Sequence, residues 1–285
     1  MIEEKTIKAY KAFKKDMTCN GFQYEVGKEY NMDGKIECCR RGFHACELPA
    51  DVFKYYEIYG SRFAEVELSG ITDRNGGCDS KICASHIKIV KELTLSEMVE
   101  ASIIFLKNKI TRHNPIRYPG KQVRQFFSSA DNKRLTSPRR YSTILSLGNR
   151  PVIVSNGDES TIVTTGEQAE ITTAIGNYVT VLSSGDKSSI RLSGLFPIVV
   201  STGNRSRIYS SAEYSSIASE GEKADIVCAC HYGSFVKAKV GSRITIVFND
   251  AIDIHIPSVT EIVDGESIKG DTWYRIYPNG EFEEI

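Results

Sequence analysis

A nine-residue frame returns along the middle of the chain: GNRPVIVSN at Gly148, GDESTIVTT at Gly157, GEQAEITTA at Gly166, then GNYVTVLSS, GDKSSIRLS, GLFPIVVST, GNRSRIYSS, AEYSSIASE and GEKADIVCA. One extra residue, Ile175, interrupts it, and after an irregular stretch from Cys230 to Val240 the frame closes with GSRITIVFN at Gly241. Counted from the glycine, position six is Ile153, Ile162, Ile171, Val181, Ile190, Val199, Ile208, Ile217, Ile226 and Ile244, and is never polar. Positions four and eight are mostly small, as in Ser160 and Thr164 or Ser206 and Ser210. Alternation at period two places positions four, six and eight on one side of a short strand. Glycine at position one, usually followed by Asn, Asp or Glu, is expected to supply a corner with positive φ. One strand per corner predicts a β-solenoid with two strands per 18-residue coil and a narrow interior. The repeats lack the G-G-x-G-x-D arrangement of calcium-binding nonapeptides, and their outward threonines are too sparse for an ice-binding lattice.

Two strands per coil put alternate repeats on opposite faces. One face is mixed and partly charged, with Glu170, Arg191, Arg207 and Asp225 among its residues. The other carries Thr161, Val163, Thr180, Leu182, Ile198, Val200, Ser216 and Ala218, with no charge. A flat uncharged strip of this length is seldom left in water, so a cover is expected. A second subunit in a dimer, the N-terminal domain or a host target protein would each serve, two-fold homo-oligomers being the commonest arrangement. The tail leaves the frame at about Asp250, and its turn signals at Asp264-Gly265 and Pro278-Asn279-Gly280, with Trp273, Tyr274 and Tyr277, predict a β cap on the last coil.

Residues 1–110 have a different grammar. IKAYKAF, FQYEVGKEY, FAEVEL and ICASHIKIV read as strands, and PADVFKYYEIY as a helix opened by Pro49. Thr94 and Glu97 make a capping box before LSEMVEASIIFLKNKI, whose Leu95, Met98, Val99, Ile103 and Leu106 form one apolar face. The fold class is therefore mainly β: an α+β head over 1–110, a connector over 111–143, a β-solenoid over 144–249 and a β cap over 250–285.

The 285 residues carry 36 basic and 36 acidic side chains, and this neutral total conceals an asymmetry. From Lys107 to Arg140 there are ten Lys or Arg against one acid, Asp131. Arg112, Arg117, Lys121, Arg124, Lys133, Arg134, Arg139 and Arg140 are the candidates for holding a polyanion, with nucleic acid as an alternative partner. No segment resembles a secretory h-region or a spanning helix, which predicts a soluble cytoplasmic protein without a membrane partner. Free thiols are the expectation for the eight cysteines. Cys38 and Cys39, read as strand neighbours pointing opposite ways, give no zinc spacing, and neither do Cys78 with Cys83 or Cys228 with Cys230, so no metal and no cofactor is assigned. No phosphate loop, nucleophile elbow or H-E-x-x-H motif occurs.

YKAFKKDMTCNGFQYEVGKEY, GFHACELPADVFKYY and RFAEVELSG resemble the N-terminal domain of an uncharacterised family of tailed phages, prophages and gut bacteria. Members of that family follow it with Gly/Ser/Ala/Thr-rich repeats and end in a segment similar to IKGDTWYRIYPNGEFEEI. The resemblance implies a phage or prophage setting, in the cytoplasm of a bacterial host, and brings no activity with it; the missing catalytic motifs and the solenoid face lead to the expectation of a non-catalytic interaction protein. A looser resemblance, in the order of Tyr10-Lys11, Gly42-Phe43-His44, Asp51 to Tyr56 and Phe63 to Leu68, is to ADP-ribosyltransferase-like domains. It implies an alternative, an NAD-type or other nucleotide ligand held near Tyr10, Lys11, His44 and Tyr55, with enzymatic activity if a glutamate is placed to stabilise the transition state. Glu65, Glu67, Glu92, Glu97 and Glu100 offer no such placement from sequence.

Overall fold

The computed structural model describes residues 6–74, 79–111, 124–229, 233–247 and 258–285. The chain divides into two compact units, Met1–Val123 and Arg124–Ile285.

In the first unit the strands are β1 (Ile7–Lys14), β2 (Thr18–Cys19), β3 (Phe22–Gln23), β4 (Glu29–Asn31), β5 (Phe43–Cys46), β6 (Ser61–Asp73) and β7 (Lys81–Leu93). The antiparallel pairings β1 with β5, β5 with β7, β7 with β6 and β6 with β1 form a closed cycle, and β4 adds to the side of β7. Its interior is apolar, built on Phe13, Val66, Leu68, Ile82, Ile87 and Ile89. FQYEVGKEY is not one strand: it breaks at Gly27, which has φ +84 and donates its N–H to the Ile89 carbonyl at 2.7 Å. The helix expected over PADVFKYYEIY is a single turn, α1 (Pro49–Val52). Neighbouring residues of a helix point about 100° apart, whereas Tyr55 and Tyr56 both line one cavity, and that shared demand ends the helix early. The second helix, α2 (Leu95–Thr111), follows the expectation. Thr94 N–H donates to Glu97 at 2.8 Å and Glu97 N–H to Thr94 Oγ1 at 3.2 Å, the reciprocal capping box, and Leu95, Met98, Val99, Ile103 and Leu106 are all buried.

The second unit is a parallel β-solenoid of two facing sheets, with strands alternating between them. Every position-six residue from Leu135 to Ile244 lies in one continuous buried core. The small neighbours at positions four and eight hydrogen-bond inside it: Ser201 with Ser206 at 2.7 Å, Ser183 with Ser188 at 2.9 Å, and Ser188 Oγ to the Gly185 carbonyl at 2.8 Å. Ile175 is absorbed as an outward bulge, 69% exposed, which lengthens one coil so that Thr161 pairs with Thr180.

The corners differ from the sequence expectation. The left-handed residue is at position three, where Asn132, Tyr141, Arg150, Glu159, Gln168, Tyr178, Lys187, Phe196, Arg205, Tyr214 and Lys223 have φ between 51° and 58°. Gly194 (φ +98) and Gly241 (φ +86) keep the expected positive φ, but the other position-one glycines answer a different need. A Cβ on Gly148, Gly157, Gly166, Gly185, Gly203 or Gly221 would fall well inside 3.0 Å of the position-one carbonyl one coil earlier. Position two completes the corner as a ladder. Asp131 accepts from Asn149 N–H at 2.7 Å, Asn149 from Glu167 N–H at 3.1 Å, and Asp186 and Asn204 repeat the pattern. On the opposite corner Tyr178, Phe196 and Tyr214 stack with ring centroids 5.2 and 5.0 Å apart.

The solenoid also begins earlier than the repeat frame predicted. Gln125–Ser128 and Arg134–Ser137 pair in parallel with Thr143–Ser146 and Val152–Ser155, so residues 124–143 are coil and not connector. Position six continues there as Leu135 and Ile144, but Ala130 and Arg139 stand where later repeats have glycine. At the other end Ser258–Ile262 runs antiparallel to Arg243–Val247, and Tyr274–Ile276 antiparallel to Ser234–Ala238 with Phe282–Glu284 outside it. This is the expected cap. Pro278-Asn279-Gly280 turns its hairpin, while Asp264-Gly265 lies on the crossing from one sheet to the other.

Because steric contact, not φ, selects glycine at position one, Gly203→Ala should lower stability by about 1–3 kcal/mol or more. Lys187→Gly, at a left-handed position, should raise it by up to about 1 kcal/mol, since relief of the αL penalty exceeds the lost chain entropy. Urea unfolding of both variants checks the pair; equal losses at the two sites would contradict this division of roles.

Candidate functional site

The first unit encloses a cavity of about 620 Å³. β1 supplies Tyr10, Lys11 and Ala12, β5 supplies Phe43 to Cys46, β7 supplies Lys81, and the turn after α1 supplies Tyr55 and Tyr56. Tyr10, Lys11, His44 and Tyr55, scattered along the sequence, therefore meet in one place, as expected. Phe22 and Tyr24 complete the wall in an edge-to-face cluster with Tyr30 and Phe43, at centroid separations of 4.8 to 6.3 Å.

Lys11 dominates the electrostatics. Its side chain is 5% exposed, yet no carboxylate among the described residues comes within ion-pair distance. Nζ donates to the His44 carbonyl at 3.0 Å and to Cys19 Sγ at 3.3 Å, and lies 5.5 and 5.6 Å from the Phe13 and Tyr24 ring centres. A buried ammonium normally has a carboxylate partner; this one has a carbonyl, a thiol and two ring faces. Lys81 adds a second cation, with Nζ 4.2 Å above the Tyr55 ring, whose hydroxyl is bonded to Asp79. Cys19 Sγ is also 2.8 Å from the Tyr56 hydroxyl.

His44 is neutral. Its Nε2 accepts the Cys39 N–H at 2.8 Å, and burial, followed by the charges of Lys11 and Lys81, holds its pKa below the usual imidazole value. Burial also raises the Tyr24, Tyr55 and Tyr56 hydroxyls, so they are protonated donors. Among the described residues no acidic side chain lines the cavity. Such a lining can grip a planar group between rings and an anionic group at the lysines, and it has no carboxylate to act as a base or to stabilise an oxocarbenium ion.

The remaining expected sites fare differently. Arg112, Arg117 and Lys121 lie outside the described residues. Arg124, Lys133, Arg134, Arg139 and Arg140 are exposed but belong to the first coil, and Arg140 is already engaged by Asp158 at 3.4 Å and Glu159 at 3.1 Å. They do not form the unstructured basic connector that was expected. On the uncharged solenoid face, Thr161, Val163, Thr180, Leu182, Val200, Ser216 and Ala218 are buried and Ile198 is half-buried in a single copy of the chain. Cys78 and Cys230 lie outside the described residues. Cys38 and Cys39 are not on a strand; they occupy the turn closed by the Glu37 to Arg41 bridge, with Cys39 at φ +69. Cys38, His44 and Cys83 bring their ligand atoms within 4.8 Å of one another, a grouping that no sequence spacing announces. Burial and the neighbouring Cys38 push the Cys83 thiol up to about 12. No helix among the described residues is long and apolar enough to cross a membrane.

The cavity and its strands fall within a stretch that has a known counterpart. Residues 7–101 match a domain of unknown function (DUF7666). The match ends within α2 and includes every cavity-lining residue, while the solenoid lies beyond it. No curated protein and no solved structure matches the chain.

Since the Lys11 ammonium has no carboxylate partner among the described residues, replacing it with an apolar side chain of similar length should cost the free protein little. Lys11→Met is expected to unfold at the same temperature as the wild type or higher. A loss of about 3 kcal/mol would instead identify the lysine as one half of a buried pair.

Proposed function

We propose that the N-terminal unit is a binding module for a small anionic ligand with a planar ring, of the nucleotide class, and that the solenoid is its non-catalytic scaffold. One observation carries this reading: a buried ammonium, Lys11, without a carboxylate partner among the described residues, at a cavity walled by Tyr10, Phe22, Tyr24, Phe43, Tyr55 and Tyr56. Burying a lone cation is costly, and an anionic ligand offsets that cost at the moment it binds. Aromatic side chains supply faces or edges for a flat ring. Both halves of a nucleotide, base and phosphate, are thereby accommodated. The absence of an acidic lining residue argues for binding without glycosyl transfer, so the transferase alternative is set aside. Self-association through the uncharged face is likewise not proposed, because that face is buried in the single chain.

Thermal denaturation of the full chain with AMP, NAD, ADP-ribose, inorganic phosphate and a short oligonucleotide tests the reading. At least one of the first three should stabilise the protein, by about 2.7 kcal/mol at one hundred times its dissociation constant. Lys11→Met should abolish the shift while leaving the free protein folded. Stabilisation by none of the mononucleotide-type ligands would refute the proposal, and stabilisation by the oligonucleotide alone would transfer it to a polyanion surface.

A further inference from the structure

The geometry points to a thiophilic divalent metal site, of the kind that takes zinc, at Cys38, Cys83 and His44. The three ligand atoms lie within 4.8 Å of one another and come from two strands and a turn. His44 and Cys83 are direct cross-strand partners in the β5 to β7 pairing. Cys38 is brought to them by the Glu37 to Arg41 turn. That turn is anchored from the far side, since Cys38 N–H donates to Asp73 Oδ2 at 2.8 Å, and Asp73 is the cross-strand partner of Cys83 in the β6 to β7 pairing. Gly42 permits the close approach: its φ is +132°, and a Cβ there would lie 3.2 Å from Cys83 Cβ and 3.0 Å from Ile36 Cγ2. Backbone pairing alone thus converges the three side chains.

Two thiolates and one imidazole form a donor set suited to tetrahedral Zn²⁺ or Co²⁺. Sulfur ligands of such an ion stand about 3.8 Å apart, given metal–sulfur bonds near 2.3 Å. With every pair of ligand atoms within 4.8 Å, reaching that spacing asks for a shift of at most about 1 Å, within reach of side-chain rotation. Nε2 of His44 carries its lone pair toward the Cys39 N–H, and a metal–nitrogen bond would replace that hydrogen bond. Each cysteine would release its thiol proton to solvent on binding. Three protein ligands leave the fourth tetrahedral position open. Since His44 also lines the cavity, the ion would stand at its wall. The inference does not depend on the nucleotide reading.

The test is a titration of the reduced, chelator-treated full chain with Co²⁺. The expected result is one equivalent bound, with a near-ultraviolet thiolate-to-cobalt band and intense visible bands of a tetrahedral ion, bleached by one equivalent of Zn²⁺. Cys38→Ser and His44→Gln should each weaken Co²⁺ binding by more than about 100-fold, and Cys228→Ser, in the solenoid interior, should leave it unchanged. Wild-type protein showing no thiolate band would overturn the proposal without recourse to any variant. So would a band that persists at full strength in Cys38→Ser.

Discussion

Most coils of the solenoid rest on the contact between a position-one glycine and the carbonyl of the position-one residue beneath it. A Cβ has no room in that gap at Gly148, Gly157, Gly166, Gly185, Gly203 or Gly221, so glycine recurs there, while Ala212 shows that one coil admits a methyl group. Once the backbones close to this distance, the rest follows. Position-three N–H groups reach the position-two carbonyls of the next coil, as from Arg150 to Glu167 and from Lys187 to Asn204, both at 2.8 Å. Asp and Asn at position two bond to the next coil in the same direction. Position six then stacks on itself as an unbroken column of Ile, Val and Leu. The left-handed backbone at position three, which costs a residue with a side chain about 1–2 kcal/mol, is tolerated because these stacked bonds hold it in place.

The nine-residue period made the solenoid legible because its interior is one residue wide. A narrow core leaves no latitude at positions four, six and eight, and the pattern appears in the letters. The first coil was read as connector for a related reason. Ala130 and Arg139 keep the hydrophobic period through Leu135 and Ile144 but carry side chains where glycine marks the later corners. Glycine at position one marks a close approach to the coil beneath, and these two corners do without it.

The cavity was legible only as a set of residue types in a familiar order. Tyr10, Lys11, His44 and Tyr55 do meet, but the burial of Lys11 without a carboxylate depends on which strands pair, and no local pattern encodes that. The same holds for Cys83 beside His44 and Cys38. Their ligand atoms converge through two antiparallel registers, and treating Cys38 and Cys39 as strand neighbours concealed the turn that turns one of them inward. The residues expected on the uncharged solenoid face are almost all buried, but alternation within a strand does not say what lies over them.

The antiparallel strands at the C-terminal end of the solenoid have a consequence beyond capping a hydrophobic core. A parallel sheet edge offers the slanted, evenly spaced bonding pattern that another coil would continue. Here Ser258–Ile262 runs along one edge in the opposite sense and presents a mismatched register to any incoming copy, while the hairpin of Tyr274–Ile276 and Phe282–Glu284 covers the other. The molecule carries its own terminator at that end, and growth into a fibre by coil-upon-coil addition stops there.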